Sequence, residues 1–166
     1  KGEIDLMSPA MAVGKELMGI PSFETPDYSE FMSEEKAIIA NLKKVFLMVS
    51  GAALQKYMME IEKQQHLLIN ASEILNQIDM AESAILRVEK NFGPDSIEAA
   101  MAQLNLYKAV EAVIAAAKEG IISFAEGDEQ RMMLSGLRRF TKYTNQPNVI
   151  ALTEKIAKHF VEKNSY

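Results

Sequence analysis

The chain has 166 residues, 48% of them apolar and 25% charged, with a formal net charge of −5 and no cysteine. These values suit a single globular domain and exclude a disordered chain, a disulfide scaffold, thiolate catalysis and Cys-based metal sites. The negative charge removes the electrostatic case for nucleic acid, and uninterrupted apolar runs such as Val45–Val49 and Ala112–Ala117 are too short to span a bilayer.

Residues 1–18 are expected to form a short helix, with Ser8 as N-cap and Pro9 at the first helical position, where a missing N–H costs nothing. Gly19, Pro21 and Pro26 then break any helix, and Ile20, Phe23, Tyr28 and Phe31 ride on this stretch. A free linker rarely carries four large apolar side chains, so 19–32 is expected to lie extended across a surface. Ser33, Glu34 and Glu35 open the next helix, since a hydroxyl and early carboxylates complement free N–H groups. Its core stripe is Ile38, Leu42, Val45, Phe46, Val49 and Ala53. A second apolar stripe (Leu47, Leu54, Met58, Ile61) lies roughly 120–160° around the same helix at the helical repeat. A helix burying one face needs only one stripe. The second fits a central place in a bundle, with contact to a domain or subunit outside the chain as the sharper reading.

The cleanest periodicity follows: Leu67, Ala71, Ile74, Ile78, Ala81, Ile85 and Val88 alternate spacings of four and three, with Leu68 and Leu75 widening the stripe. Gly93-Pro94 ends that helix, with Gly93 suited to a left-handed C′ position. Asp95 or Ser96 caps a long alanine-rich helix to about Glu126, its inward stripe Leu106, Val110, Val113, Ala117 and Ile121. Gly127-Asp128 stops it and opens a fifth helix, about 128–143, burying Met132, Leu134, Leu137 and Phe140. A turn at Asn145–Asn148 leads into a last helix, about 149–162, with Ile150, Ile156 and Phe160 inward.

The fold class is therefore all-α: an up-and-down helical bundle of three long helices plus shorter N- and C-terminal helices, the last two an antiparallel pair. Residues 1–32 read as an N-terminal short helix and extended connecting segment, and 33–166 as the bundle domain. The chain opens at Lys1 without an initiator Met, in a segment that reads like the middle of something longer.

Reactive chemistry finds no foothold, and the expected catalytic, cofactor-binding and metal residues are none. A di-metal bundle needs paired Glu-x-x-His motifs, but neither His66 nor His159 has a Glu three residues before it. Glu62 and His66 supply at most two ligands, too few for a catalytic metal. No Gly-x-Ser-x-Gly elbow or glycine-rich phosphate cradle is present. Glu34/Glu35 and Asp128/Glu129 occupy first helical turns, where the helix dipole accounts for them. Tyr57, Tyr107 and Tyr143 read as core-edge residues. The basic residues Arg131, Arg138, Arg139 and Lys142 read first as a solvated face, and the 11 scattered methionines as core gap-fillers rather than a peptide groove.

Several stretches resemble one family. Lys1-Gly-Glu-Ile-Asp-Leu-Met-Ser-Pro-Ala-Met11 is similar to the segment following the flavin-contacting helices of acyl-CoA dehydrogenases. The pattern Glu35–Gln55, then Leu67–Val88, then Ala99–Ile122 resembles the extra C-terminal helical domain of the very-long-chain acyl-CoA dehydrogenase type. The resemblance implies an FAD-dependent dehydrogenase core elsewhere in the same polypeptide, holding the catalytic base, the flavin and the acyl-CoA cleft. No catalytic or cofactor residue carries over. It implies an accessory bundle that docks on that core or on a partner subunit, with a homo-oligomer as a further expectation. Leu47, Leu54, Met58, Ile61, Ile20, Phe23, Tyr28 and Phe31 are the candidate docking surface. In some members the domain associates with membranes. Here the junction Glu60–His66 is not basic, which argues against attraction to anionic lipid. A cytoplasmic location is expected. The alternative is a stand-alone helical protein-interaction module that takes a partner helix in a groove.

Overall fold

The structure is a computed structural model that describes residues 5–19 and 27–163. It is all-α. Helix α1 is Met7–Met18, α2 Ser33–Tyr57, α3 Gln65–Asn91, α4 Ile97–Phe124, α5 Gly127–Phe140 and α6 Val149–Lys163, with a 3₁₀ segment, Met58–Lys63, between α2 and α3. The three long helices form the frame: α3 packs along α4 and against α2, and α2 also meets α4.

The α3 seam is as its spacing predicts, with Leu67, Ile74, Ile78, Ala81, Ile85 and Val88 buried. Ala71 is half-buried, while Leu68 and Leu75 are exposed instead of widening the stripe. On α4 the whole predicted stripe is buried, together with Ala99, Ala102, Ala109 and Ala116. Their small side chains permit close approach of the two longest helices. Ser96 caps α4, its Oγ accepting the Ala99 N–H at 3.1 Å. Ion pairs between Lys43 and Glu82 at 2.6 Å, and between Lys36 and Glu89, lie at the solvent edge of the α2–α3 contact and add little.

Helix α1 seats across α2 and sends Val13 into the common core. Two glycines admit it. A Cβ on Gly51 of α2 would overlap Ala10 Cβ, and one on Gly136 of α5 would come within 2.6 Å of Leu17 Cδ2. Glu16 of α1 accepts a hydrogen bond from Lys44 Nζ at 2.8 Å, and its carbonyl accepts one from Arg139 at 3.3 Å.

Several local expectations are corrected. Asp5, not Ser8, caps α1: its Oδ1 accepts the N–H groups of Met7 and Ser8, both at 3.0 Å. Ser33 lies inside α2, its Oγ donating to the Glu30 carbonyl, and the N-cap is Met32 at φ 60°. Helix α2 stops at Tyr57, before Ile61, because Met58 turns to φ 47°. The α3 helix ends through an extended Phe92 (φ −135°), and among the described residues the left-handed glycine is Gly127 (φ 57°), not Gly93. Helix α5 buries Leu137 and Phe140 as predicted and half-buries Leu134, but it buries Met133 in place of Met132, which is 39% exposed. In α6, Ile150 points outward and Ile156 and Phe160 are only half-buried, so no α6 residue is buried. The last two helices are no pair: α5 packs on α2 and α4, whereas α6 lies on α4.

Candidate docking surface

Of the eight residues singled out from the sequence, the six among the described residues do not gather on one patch. Ile20 and Phe23 lie outside the described residues. Phe31 is half-buried and packed against the core just ahead of α2, with Tyr28 half-buried three residues earlier. Leu47 and Ile61 are likewise half-buried against the core, and Leu54 is half-buried. Met58 is 73% exposed at the far end of α2. The helix between Phe31 and Met58 is about 37 Å long at its rise per residue, so the two ends cannot share a contact of ordinary size.

The surface is apolar in another way. Eight of the 11 methionines, namely Met7, Met11, Met18, Met58, Met59, Met80, Met101 and Met132, are exposed, so core filling does not account for them. Four of these, with Leu47, line a cleft of about 320 Å³ between α1, α2 and α5. The run Ser33–Lys63 is long and apolar enough by composition to cross a membrane, with a mean hydropathy of 1.6 over its most apolar stretch. Of that stretch 44% is buried in the bundle, where α2 meets α1, α3, α4 and α5, so packing accounts for its apolarity.

A second cleft, of about 380 Å³, lies where the start of α2 meets α4, α6 and the 141–148 connector. Glu34 holds the connector there. Its carboxylate accepts the N–H of Thr144 at 2.7 Å and of Asn145 at 2.9 Å, and the Asn145 side-chain amide at 2.7 Å. Glu35 accepts the Gln103 amide at 2.7 Å. Tyr143 is buried, and its hydroxyl has no hydrogen-bond partner. Burial first, then the charges of Glu35 and Glu34, raise its pKa, so it stays a neutral phenol and cannot serve as a base near neutrality.

Neither histidine joins a reactive group. His66 is exposed in the first turn of α3, and His159 stacks edge-on to Phe160 at 5.6 Å. Among the described residues no three His, Cys, Asp or Glu side chains converge as a metal site would require. Of the basic residues, Arg131 pairs with Asp128 at 2.9 Å and Arg139 with Glu16, leaving Arg138 and Lys142 exposed on the solvent side.

The described residues thus define an all-α bundle domain that turns methionine outward. A protein of Bacillus subtilis (strain 168), a "Probable acyl-CoA dehydrogenase", is 37% identical to it over 172 aligned residues, covering 100% of this chain and 28% of that protein. An acyl-CoA dehydrogenase of Bacillus anthracis, solved complexed with FAD, superposes with a TM-score of 0.86 at 33% identity. That match covers 98% of this chain and 28% of the other. The family model for the acyl-CoA dehydrogenase C-terminal domain matches residues 41–139. The chain belongs to that family. It spans 28% of the length of these relatives.

Proposed function

We propose that this chain is a non-catalytic accessory domain of an FAD-dependent acyl-CoA dehydrogenase of the very-long-chain type, docked on the dehydrogenase core of the same polypeptide or on a partner subunit. The observation that carries this is the exterior. Eight exposed methionines surround a well-filled core, while Glu34 is engaged by the connector and Tyr143 is held as a neutral phenol. Met side chains adapt to many contours and are favoured at contact surfaces.

The Bacillus anthracis relative is complexed with FAD, which supports a flavin in the parent enzyme. The clefts described here do not fit one. The cleft beside Tyr143 carries two carboxylates, Glu34 and Glu35, against one cation, Lys155, a balance that disfavours a pyrophosphate. The cleft at α1 is lined almost wholly by apolar side chains and offers no set of pyrophosphate donors. On this reading the flavin sits in the dehydrogenase core, and this chain contributes packing. A cytoplasmic location goes with this reading.

The experiment is reconstitution in trans. The 166-residue chain should stay colourless and quench no added FAD fluorescence, and it should co-elute from a sizing column with a flavin-loaded core lacking it. A yellow chain carrying stoichiometric flavin overturns the non-catalytic reading, and separate elution overturns the docking.

A further inference from the structure

Resting on the reading that this bundle docks on a dehydrogenase core in the same polypeptide, we infer that the contact face is the methionine-walled cleft between α1, α2 and α5. Its walls are Met7, Met11 and Met18 from α1, Leu47 from α2 and Met132 from α5. The four methionines are 39%, 60%, 73% and 39% exposed. Lys15 and Glu129 border it, so an apolar floor is rimmed by charge, which is the anatomy of a protein–protein interface.

The occupant follows from the direction of the chain. The matched family model is a C-terminal domain, so the dehydrogenase core of such a polypeptide precedes the bundle and leads into it from the side of α1. Helix α1 is itself a wall of the cleft, so a core joined ahead of it is tethered on the side of the surface it has to find. Tethering makes the contact intramolecular, with an effective concentration of up to about millimolar for a short flexible connection. Competing faces lack this combination. The α2–α3 cleft beside Leu86 is about 170 Å³ and is spanned by the Lys43–Glu82 ion pair. The exposed Ile150 and Val161 stand singly on α6, which packs on the far helix α4.

The test is site-specific photo-crosslinking in the full-length, flavin-loaded polypeptide, assembled from an equal mixture of light and heavy-isotope chains. A benzophenone amino acid replaces Met11 or Met132, and in control proteins Met80 or Met101. All four side chains are exposed, so the substitutions leave the core packing untouched. Positions 11 and 132 should crosslink to peptides ahead of the bundle within the same chain, and positions 80 and 101 should not. Crosslinks to the core from 80 or 101 but not from 11 or 132 overturn the choice of face while leaving the docking intact. Light-to-heavy crosslinks from 11 and 132 put a second copy in the cleft and overturn the occupant. If no position reaches beyond the bundle, both the face and the docking role fall.

Discussion

Gly51→Ala is the sharpest probe of how α1 is held. In an ordinary exposed helix the change stabilises by about 0.5–1 kcal/mol, because alanine loses less backbone freedom on folding. Here the added methyl overlaps Ala10 Cβ, an atom fixed to the α1 backbone rather than the tip of a flexible side chain. Helix α1 must lift, and overpacking of this kind costs about 1–3 kcal/mol. The clash wins: the variant should be less stable than the parent by on the order of 1 kcal/mol. Urea unfolding reads the midpoint, and amide exchange across residues 7–18 reads whether α1 is the part released. Ala10→Gly in the Gly51→Ala background removes the overlapping carbon, so the two changes should couple favourably by about 1 kcal/mol in a double-mutant cycle. A Gly51→Ala protein that unfolds at a higher urea concentration than the parent, with α1 protection unchanged, refutes the seating.

Ile85→Ala removes a fully buried α3 side chain and should cost about 2–5 kcal/mol by urea unfolding, against less than about 0.5 kcal/mol for Leu75→Ala, whose side chain is half exposed. The raised pKa of Tyr143 makes stability fall with alkali. The folded form holds the phenolic proton more tightly than the unfolded chain, so that contribution is complete below about pH 10 and drains away as pH rises beyond it. Tyr143→Phe should flatten the alkaline limb of the melting temperature and leave neutral stability unchanged or higher, since the hydroxyl has no partner to lose. Glu34→Ala removes the acceptor of three exposed donors of the connector, which water can then satisfy, and should cost about 0.5–1.5 kcal/mol, with exchange accelerating at Thr144 and Asn145.

What the sequence showed depended on whether one helix could settle the matter. The α3 seam and the α4 stripe were legible because alternating spacings of four and three fix which residues turn inward, whatever lies opposite. A single position was misassigned in α5, where neighbours are chemically alike. Met132 and Met133 differ by one helical step of about 100°, and only packing against α2 and α4 chooses between them. Met32 and Met58 break α2 at positive φ without a glycine to announce it. The family was legible in the helix pattern, whereas the cleft was not, since it joins Met11 to Met132 across more than a hundred residues. The abundance of methionine was the available signal, but composition alone cannot say which side of a helix a residue occupies. Gly51 and Gly136 carried a second signal, a glycine in the middle of a helix, which asks what approaches so closely.

Helix α6 makes a different point. The residues of the shared core end at Tyr143, and nothing in α6 is fully shielded from water. Thermodynamically the helix is an appendix: half-covered side chains and Lys155 reaching the Asp95 carbonyl at 3.1 Å hold it on α4, so its release should cost less than unravelling the rest. A protease that nicks the 144–148 turn would therefore sever α6 cleanly and leave the remaining helices standing.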